Sequence, residues 1–175
     1  MIVLYKGARG RGKTLTMTKD ALKYYNNGWR VYSNMEGLPF ATYISPEDIM
    51  KIDKNSDLRD CVLVVDEVQV LFDSRASMRK ENRGFSYFIQ QIRKRGLIFL
   101  ATTQFAGTVD LRFRQHVDII AVPNFNKYYK VCEVEYIDIT SQEDLEFLMT
   151  EPKSKKVLFD ARPIFNLYNT KELII

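Results

Sequence analysis

A chain of 175 residues, 46% of them hydrophobic, is one domain's worth of sequence and can bury about 70% of its unfolded surface without a disulfide or metal staple. Its 26 Lys and Arg against 22 Asp and Glu leave a net charge of +4, and the two isolated cysteines Cys61 and Cys132 with the single His116 argue against a zinc site or a disulfide framework. No apolar run approaches the roughly 18 to 20 residues that span a bilayer, and a strand-like IVLY follows Met1 directly, so the expected location is intracellular.

Apolar runs and breakers alternate along the chain. Residues 2–5 read as a short buried strand stopped by Gly7, residues 14–25 as a helix ended by Asn26, Asn27 and Gly28, and residues 29–33 as a second strand. Ser45-Pro46-Glu47-Asp48 carries a cap residue, a proline at the first helical position and an acid three residues on, which starts a short helix at Pro46. From Cys61 the chain is apolar until Asp66, as in a central parallel strand buried on both faces. Residues 84–95 read as helix, and residues 97–103 and 117–122 as two further buried strands. Strands alternating with helices imply a mainly parallel sheet covered on both sides.

After Pro123 the texture changes. Residues 128–139 alternate like a half-exposed strand, residues 140–149 suit a capped helix, and residues 157–159 and 163–167 read as short and extended. The division expected is therefore a core over 1–123 and a small β-rich extension over 124–175, packed together as a single domain.

Gly7-Ala8-Arg9-Gly10-Arg11-Gly12-Lys13-Thr14 fits G-x-x-x-x-G-K-[ST] at every fixed position, after a strand and at the start of a helix. Glycines let backbone N–H groups converge on phosphate oxygens, and the helix N-terminus adds its dipole. In that setting Lys13 would reach the β and γ phosphates of ATP and the Thr14 hydroxyl would ligate Mg²⁺. Asp66 and Glu67 end the run CVLVVDE, at the strand edge where open α/β sheets bind ligands. Asp66 is expected in the Mg²⁺ shell, and Glu67 is placed to orient the attacking water or take its proton. The next long strand ends in TTQ, where the Gln104 amide suits a bond to both the γ-phosphate and that water.

GARGRGKT, VLVVDEVQ, QQIRKRG and FLATTQ in succession resemble an additional-strand, catalytic-glutamate P-loop ATPase of the FtsK/HerA group, with a RecA-like fold. DEVQ, IRKRG, ATTQF and VDLRFR together are similar to the Zot-like (zonula occludens toxin-like) branch, to which phage and archaeal-virus morphogenesis and genome-packaging ATPases belong. The similarity covers about residues 1–122, and FNLYNTKELI resembles tails in such viral proteins. Filamentous-phage members of the branch carry a transmembrane helix that this sequence does not show, which tilts the expectation toward packaging motors. The resemblance implies a homo-oligomeric ring, a pentamer or hexamer, that hydrolyses ATP at its interfaces and drives double-stranded DNA into a capsid. It also implies a capsid vertex or portal protein as partner, and the host cytoplasm or the virion as location.

A ring of this kind needs a cation supplied across the interface, and Arg93, Arg95, Arg112 and Arg114 are the candidates. Between Arg75 and Arg95 seven basic residues face Glu81 alone. Arg75, Arg79, Lys80 and Arg83 in its polar linker suit phosphate contacts that read no sequence, although a solvated loop fits the same composition. Tyr168 is a minor candidate to flank adenine, and His116 reads as structural. Two other readings remain open at the sequence level: a phage-assembly ATPase of the same branch, and a small-molecule kinase whose lid would be residues 75–83.

Overall fold

The computed structural model describes residues 1–52, 58–71, 81–104, 113, 115–140 and 153–168. Arg75, Arg79, Lys80, Arg112 and Arg114 lie outside the described residues, as does most of the helix expected over 140–149. Eight strands form one sheet in the order β3-β2-β4-β5-β1-β6-β7-β8. They are β1 Ile2–Lys6, β2 Val31–Ser33, β3 Thr42–Tyr43, β4 Val62–Val65, β5 Ile98–Thr103, β6 Ile119–Asn126, β7 Val131–Asp138 and β8 Ser154–Asp160. Pairing is parallel from β3 through to β6 and antiparallel for β6 with β7 and β7 with β8.

Period-two alternation sorts the strand residues between two apolar layers. Ile2, Leu4, Leu63, Val65, Phe99 and Ala101 face one layer. It is filled by helix α2 (Pro46–Met50), a 3₁₀ turn (Val68–Leu71) and helix α3 (Glu81–Lys94), whose Phe88, Ile89 and Ile92 are buried. Phe88, Phe99 and Phe113 stack edge to face there, with centroids 5.7 and 5.9 Å apart. Val3, Tyr5, Val62, Val64, Ile98 and Leu100 face the other layer, against Leu15, Met17 and Ala21 of helix α1 (Lys13–Asn26) and Ile164 of helix α4 (Arg162–Phe165). Both faces of the central strands are covered, which is why they read as continuous apolar runs. No helix among the described residues is long and apolar enough to cross a membrane.

Local chemistry explains the element ends. Ser45 caps α2 by accepting the Asp48 N–H at 3.1 Å and donating to its carboxylate at 2.8 Å. Residues 163–167, expected to be extended, contain a helical turn instead: Pro163 sits in its first turn, and Asp160 accepts the Arg162 N–H at 3.0 Å. The strand expected over 117–122 begins at Ile119 and runs through Pro123 to Asn126, carrying the chain across the 123/124 boundary within one strand. β1 pairs with β6 only as far as Ala121, so the missing N–H of Pro123 lies beyond that ladder. The two-residue β3 has no periodic signal to announce it.

Candidate active site

Residues 7–12 link the end of β1 to the start of α1. Gly12 stands at the N-cap with φ 90°, and no side chain caps the helix, so the first-turn N–H groups remain directed at the loop. A Cβ at Gly12 would meet Phe125 Cβ at 3.1 Å and Cys132 Sγ at 3.2 Å. Both the backbone angle and the contact with β6 and β7 therefore require glycine. The far half of β6 walls the loop: the Phe125 N–H donates to the Arg11 carbonyl at 3.1 Å, and Arg11 Nη1 donates to Asn124 Oδ1 at 2.8 Å.

Lys13 is buried, with Nζ donating to the Ala8 carbonyl at 3.3 Å. Desolvation and nearby Arg9 lower its pKa, against the pull of Glu67 and Asp66 upward. Thr14 Oγ1 donates to Asp66 Oδ1 at 3.0 Å, which joins the head of α1 to the end of β4. The same Oδ1 accepts from Thr102 Oγ1 at 2.6 Å. Desolvation holds the Asp66 carboxyl above the usual range despite those two donors. Two hard oxygen donors brought together, one a desolvated carboxylate, are the set that suits a small divalent cation such as Mg²⁺.

Glu67 is one of three non-glycine residues with positive φ among those described, at 53°. That conformation is uncommon for a side chain of its size and turns it out of the strand line. Its N–H donates to Thr102 Oγ1 at 2.8 Å. Its carboxylate accepts from Gln104 Nε2 at 2.9 Å through Oε1 and from Gln69 Nε2 through Oε2. Gln104 Oε1 in turn accepts from Arg9 Nε at 3.2 Å. Lys13, Thr14, Asp66, Glu67 and Gln104, drawn from three separate motifs, thus converge at the C-terminal ends of β1, β4 and β5.

Arg93 and Arg95 are elsewhere. The end of α3 lies at the opposite sheet edge, where β1 and β5 begin. Arg95 donates to the Leu58 carbonyl at 3.2 Å and to Gln91 Oε1 at 3.4 Å. Arg93, whose side chain is 56% exposed, pairs with Asp118 at 3.5 Å. Arg83 lies in α3. Tyr168 is half-buried in the layer beside α1, and desolvation with the Asp66 charge pushes its phenol up to about 12.

Asn34 is one residue that motif reading missed. It is 9% exposed just past β2, donates Nδ2 to the Asp66 carbonyl at 3.1 Å and accepts the Asp66 N–H at 2.8 Å. The amide thereby continues the β2–β4 ladder for one more residue. Thr102 was missed in the same way, although it stands two residues before Gln104 in a motif already singled out. Neither carries a spacing signal; only the pairing of β2, β4 and β5 brings them to Asp66.

Comparison with solved structures places this site in a known fold. The N-terminal domain of zonular occludens toxin from Neisseria meningitidis superposes with a TM-score of 0.66 at 20% identity, over 96% of this chain and 98% of that one. The genome packaging NTPase B204 from Sulfolobus turreted icosahedral virus 2, solved in complex with AMP and with ATP-gammaS, gives TM-scores of 0.63 and 0.61 at 13% identity, over 89% of this chain and 95% of that one. The flagellar accessory protein FlaH from Methanocaldococcus jannaschii gives 0.54 at 11% identity, over 79% and 77%. The fold is that of a RecA-like P-loop ATPase with a β-rich C-terminal extension. No curated protein matches the chain in sequence. The family model described as zonular occludens toxin (Zot) matches residues 1–169, and the chain belongs to that family.

Proposed function

We propose that this protein is an ATP-hydrolysing motor of virus assembly, which works as a homo-oligomeric ring and drives double-stranded DNA into a capsid. The observation that carries the catalytic part is the Thr14–Asp66 bond at 3.0 Å with Glu67 turned out beside it by a positive φ. Residues 7–14 would cradle the phosphates, with Lys13 neutralising β and γ oxygens. Thr14 and Asp66 would hold Mg²⁺, which supplies charge neutralisation on the phosphates when bound. Glu67 takes the proton of the attacking water as its oxygen bonds to the γ-phosphorus. The bond from that phosphorus to the β,γ-bridging oxygen breaks, and ADP leaves with the electron pair. Gln104 would orient the water and report an intact γ-phosphate.

Arg93 is favoured as the arginine supplied to a neighbouring subunit. Its side chain is half-exposed and, among the described residues, held by one long contact, whereas Arg95 is engaged with Leu58 and Gln91. From the opposite sheet edge it would serve a neighbour's nucleotide rather than its own. Arg112 and Arg114 stay as alternatives, and Arg75, Arg79, Lys80 and Arg83 as the DNA contacts. A capsid vertex or portal protein would be the further partner, and the host cytoplasm or virion the place of action.

Support for the packaging reading comes from the likeness to B204 over 89% of the chain. A second reading, a phage-morphogenesis ATPase, is favoured by the family match over residues 1–169 and by coverage of 98% of the Neisseria domain. Phosphate release with and without duplex DNA separates them. Strong stimulation by DNA is expected for a packaging motor, and indifference to DNA moves the protein to the second reading.

A further inference from the structure

The carboxylate of Glu67 is bonded by two side-chain amides at once. Gln104 reaches Oε1 from the end of β5, and Gln69 reaches Oε2 from the 3₁₀ turn after β4. Gln69 makes this contact at a disadvantage, because its own Oε1 is buried and has no hydrogen-bond partner among the described residues. Turning the amide over would set that oxygen against the carboxylate, so the negative charge of Glu67 fixes the orientation. A buried amide holding a carboxylate while its oxygen goes unpaired relaxes readily once the carboxylate turns away. On the other side, Gln104 Oε1 accepts from Arg9, an exposed residue of the phosphate loop. An unbroken line therefore runs from the loop through Arg9, Gln104 and Glu67 to Gln69.

We propose that Gln69 and Arg9 are positioning residues that hold Glu67 in a resting orientation between two amides, and that a nucleoside triphosphate on the phosphate loop breaks the line from the Arg9 end. This rests on Glu67 being the group that takes the water's proton. A guanidinium bonded to a neutral amide oxygen moves to a phosphate oxygen when one arrives, because the charge-assisted bond is stronger. Gln104 then loses the partner that fixed its amide, turns toward the γ-phosphate, and frees Oε1 of Glu67 for the proton. Gln69 still grips Oε2 and opposes the final swing, so it acts as a brake on unstimulated turnover.

Gln69→Met keeps the side-chain volume and removes both the amide and its unpaired oxygen. In steady-state phosphate release with Mg-ATP and no DNA, kcat should rise about tenfold, the effect on rate of one lost charge-assisted hydrogen bond, with KM within about twofold. An unchanged or lowered kcat overturns the proposal. The side-chain amide signals of Gln69 and Gln104, read by ¹H–¹⁵N NMR on the full chain, give a check independent of turnover. Both should move when Mg-ATPγS is added, and in Arg9→Ala the Gln104 signal should already be displaced before nucleotide. Signals that stay put at saturating nucleotide overturn it as well. Glu67→Gln separates the two levels: if it still hydrolyses ATP at a near-normal rate, the assignment of Glu67 as the base falls and this proposal with it. If it is inactive while Gln69→Met changes nothing, this proposal falls and the base assignment stands.

Discussion

Asn34→Ala tests the architecture of the site at a residue that touches no phosphate. The substitution removes two hydrogen bonds, at 2.8 and 3.1 Å, and leaves the Asp66 N–H and carbonyl without partners. A net bond contributes about 0.5 to 1.5 kcal/mol and an unpaired buried group costs about 1 to 3. The expected loss is therefore about 2 to 4 kcal/mol, reduced if water enters the gap. For a chain of this size each kcal/mol moves Tm by about 2 to 4 °C, so the melting point should fall by roughly 5 to 15 °C. Urea unfolding should show a lower midpoint with an unchanged slope, because the surface exposed on unfolding stays the same. Function should suffer in one specific way. Asp66 loses its backbone anchor while Lys13 keeps its place, so the Mg²⁺ needed for half-maximal hydrolysis should rise, with nucleotide affinity in EDTA unaffected. A stability loss within about 0.5 kcal/mol, the range of an ordinary surface substitution, together with an unchanged Mg²⁺ requirement, would refute the idea that Asn34 holds Asp66 in place.

Lys13→Ala should weaken ATP binding, measured by fluorescent-nucleotide titration, whereas Glu67→Gln should bind normally and lose turnover; near-normal hydrolysis by Glu67→Gln rejects the base assignment. Asp66→Asn should make the nucleotide-free protein more stable while abolishing Mg²⁺-dependent hydrolysis. Desolvation raises the Asp66 pKa in the folded state, so the wild type loses stability as pH rises from the ordinary carboxylate value through the raised one. The gap between variant and wild type should thus be absent well below pH 4 and widen as pH rises toward the raised value, which urea melts across pH would show; a constant gap rejects it. Mixing Glu67→Gln subunits with Arg93→Ala subunits should restore some hydrolysis at hybrid interfaces, and failure of rescue with a monomeric particle by light scattering removes Arg93 as a shared residue.

The parallel half of the sheet was legible because each of its central strands is buried on both faces and bounded by a glycine, a cap or an acid. The phosphate loop was legible for a related reason, since its glycines, lysine and threonine keep fixed spacing within one turn of chain. Asn34 had no such signal: it is near Asp66 only because β2 pairs with β4, a contact 32 residues apart in sequence. Gln104 was legible from TTQ, but that its amide and that of Gln69 both bond the Glu67 carboxylate shows only once β4 and β5 pair. Residues 163–167 were misread for a local reason: apolar residues around a proline fit either an extended segment or a first helical turn, and the Asp160 carboxylate, bonded to the Arg162 N–H, decides for the turn.

Several unfavourable features gather at this site, while Asp60 and Lys130 with positive φ and the unpaired buried Thr18 Oγ1 lie elsewhere among the described residues. Asp66 carries a desolvated carboxyl, Lys13 an amine shifted down by burial, Glu67 a left-handed backbone and Gln69 an unpaired buried oxygen. Beneath them the strand residues of β1, β4 and β5 are buried almost throughout. Such clustering is expected where function, rather than stability, sets the residues. The conflicts at Lys13, Asp66 and Gln69 have the sign that a magnesium triphosphate would relieve. Negative phosphate oxygens beside Lys13 favour its charged form, and a cation beside Asp66 favours the carboxylate. Drawing Arg9 away would let the amides around Glu67 relax. Nucleotide and metal should therefore stabilise the fold by more than phosphate contact alone, because binding removes local costs that the free protein carries.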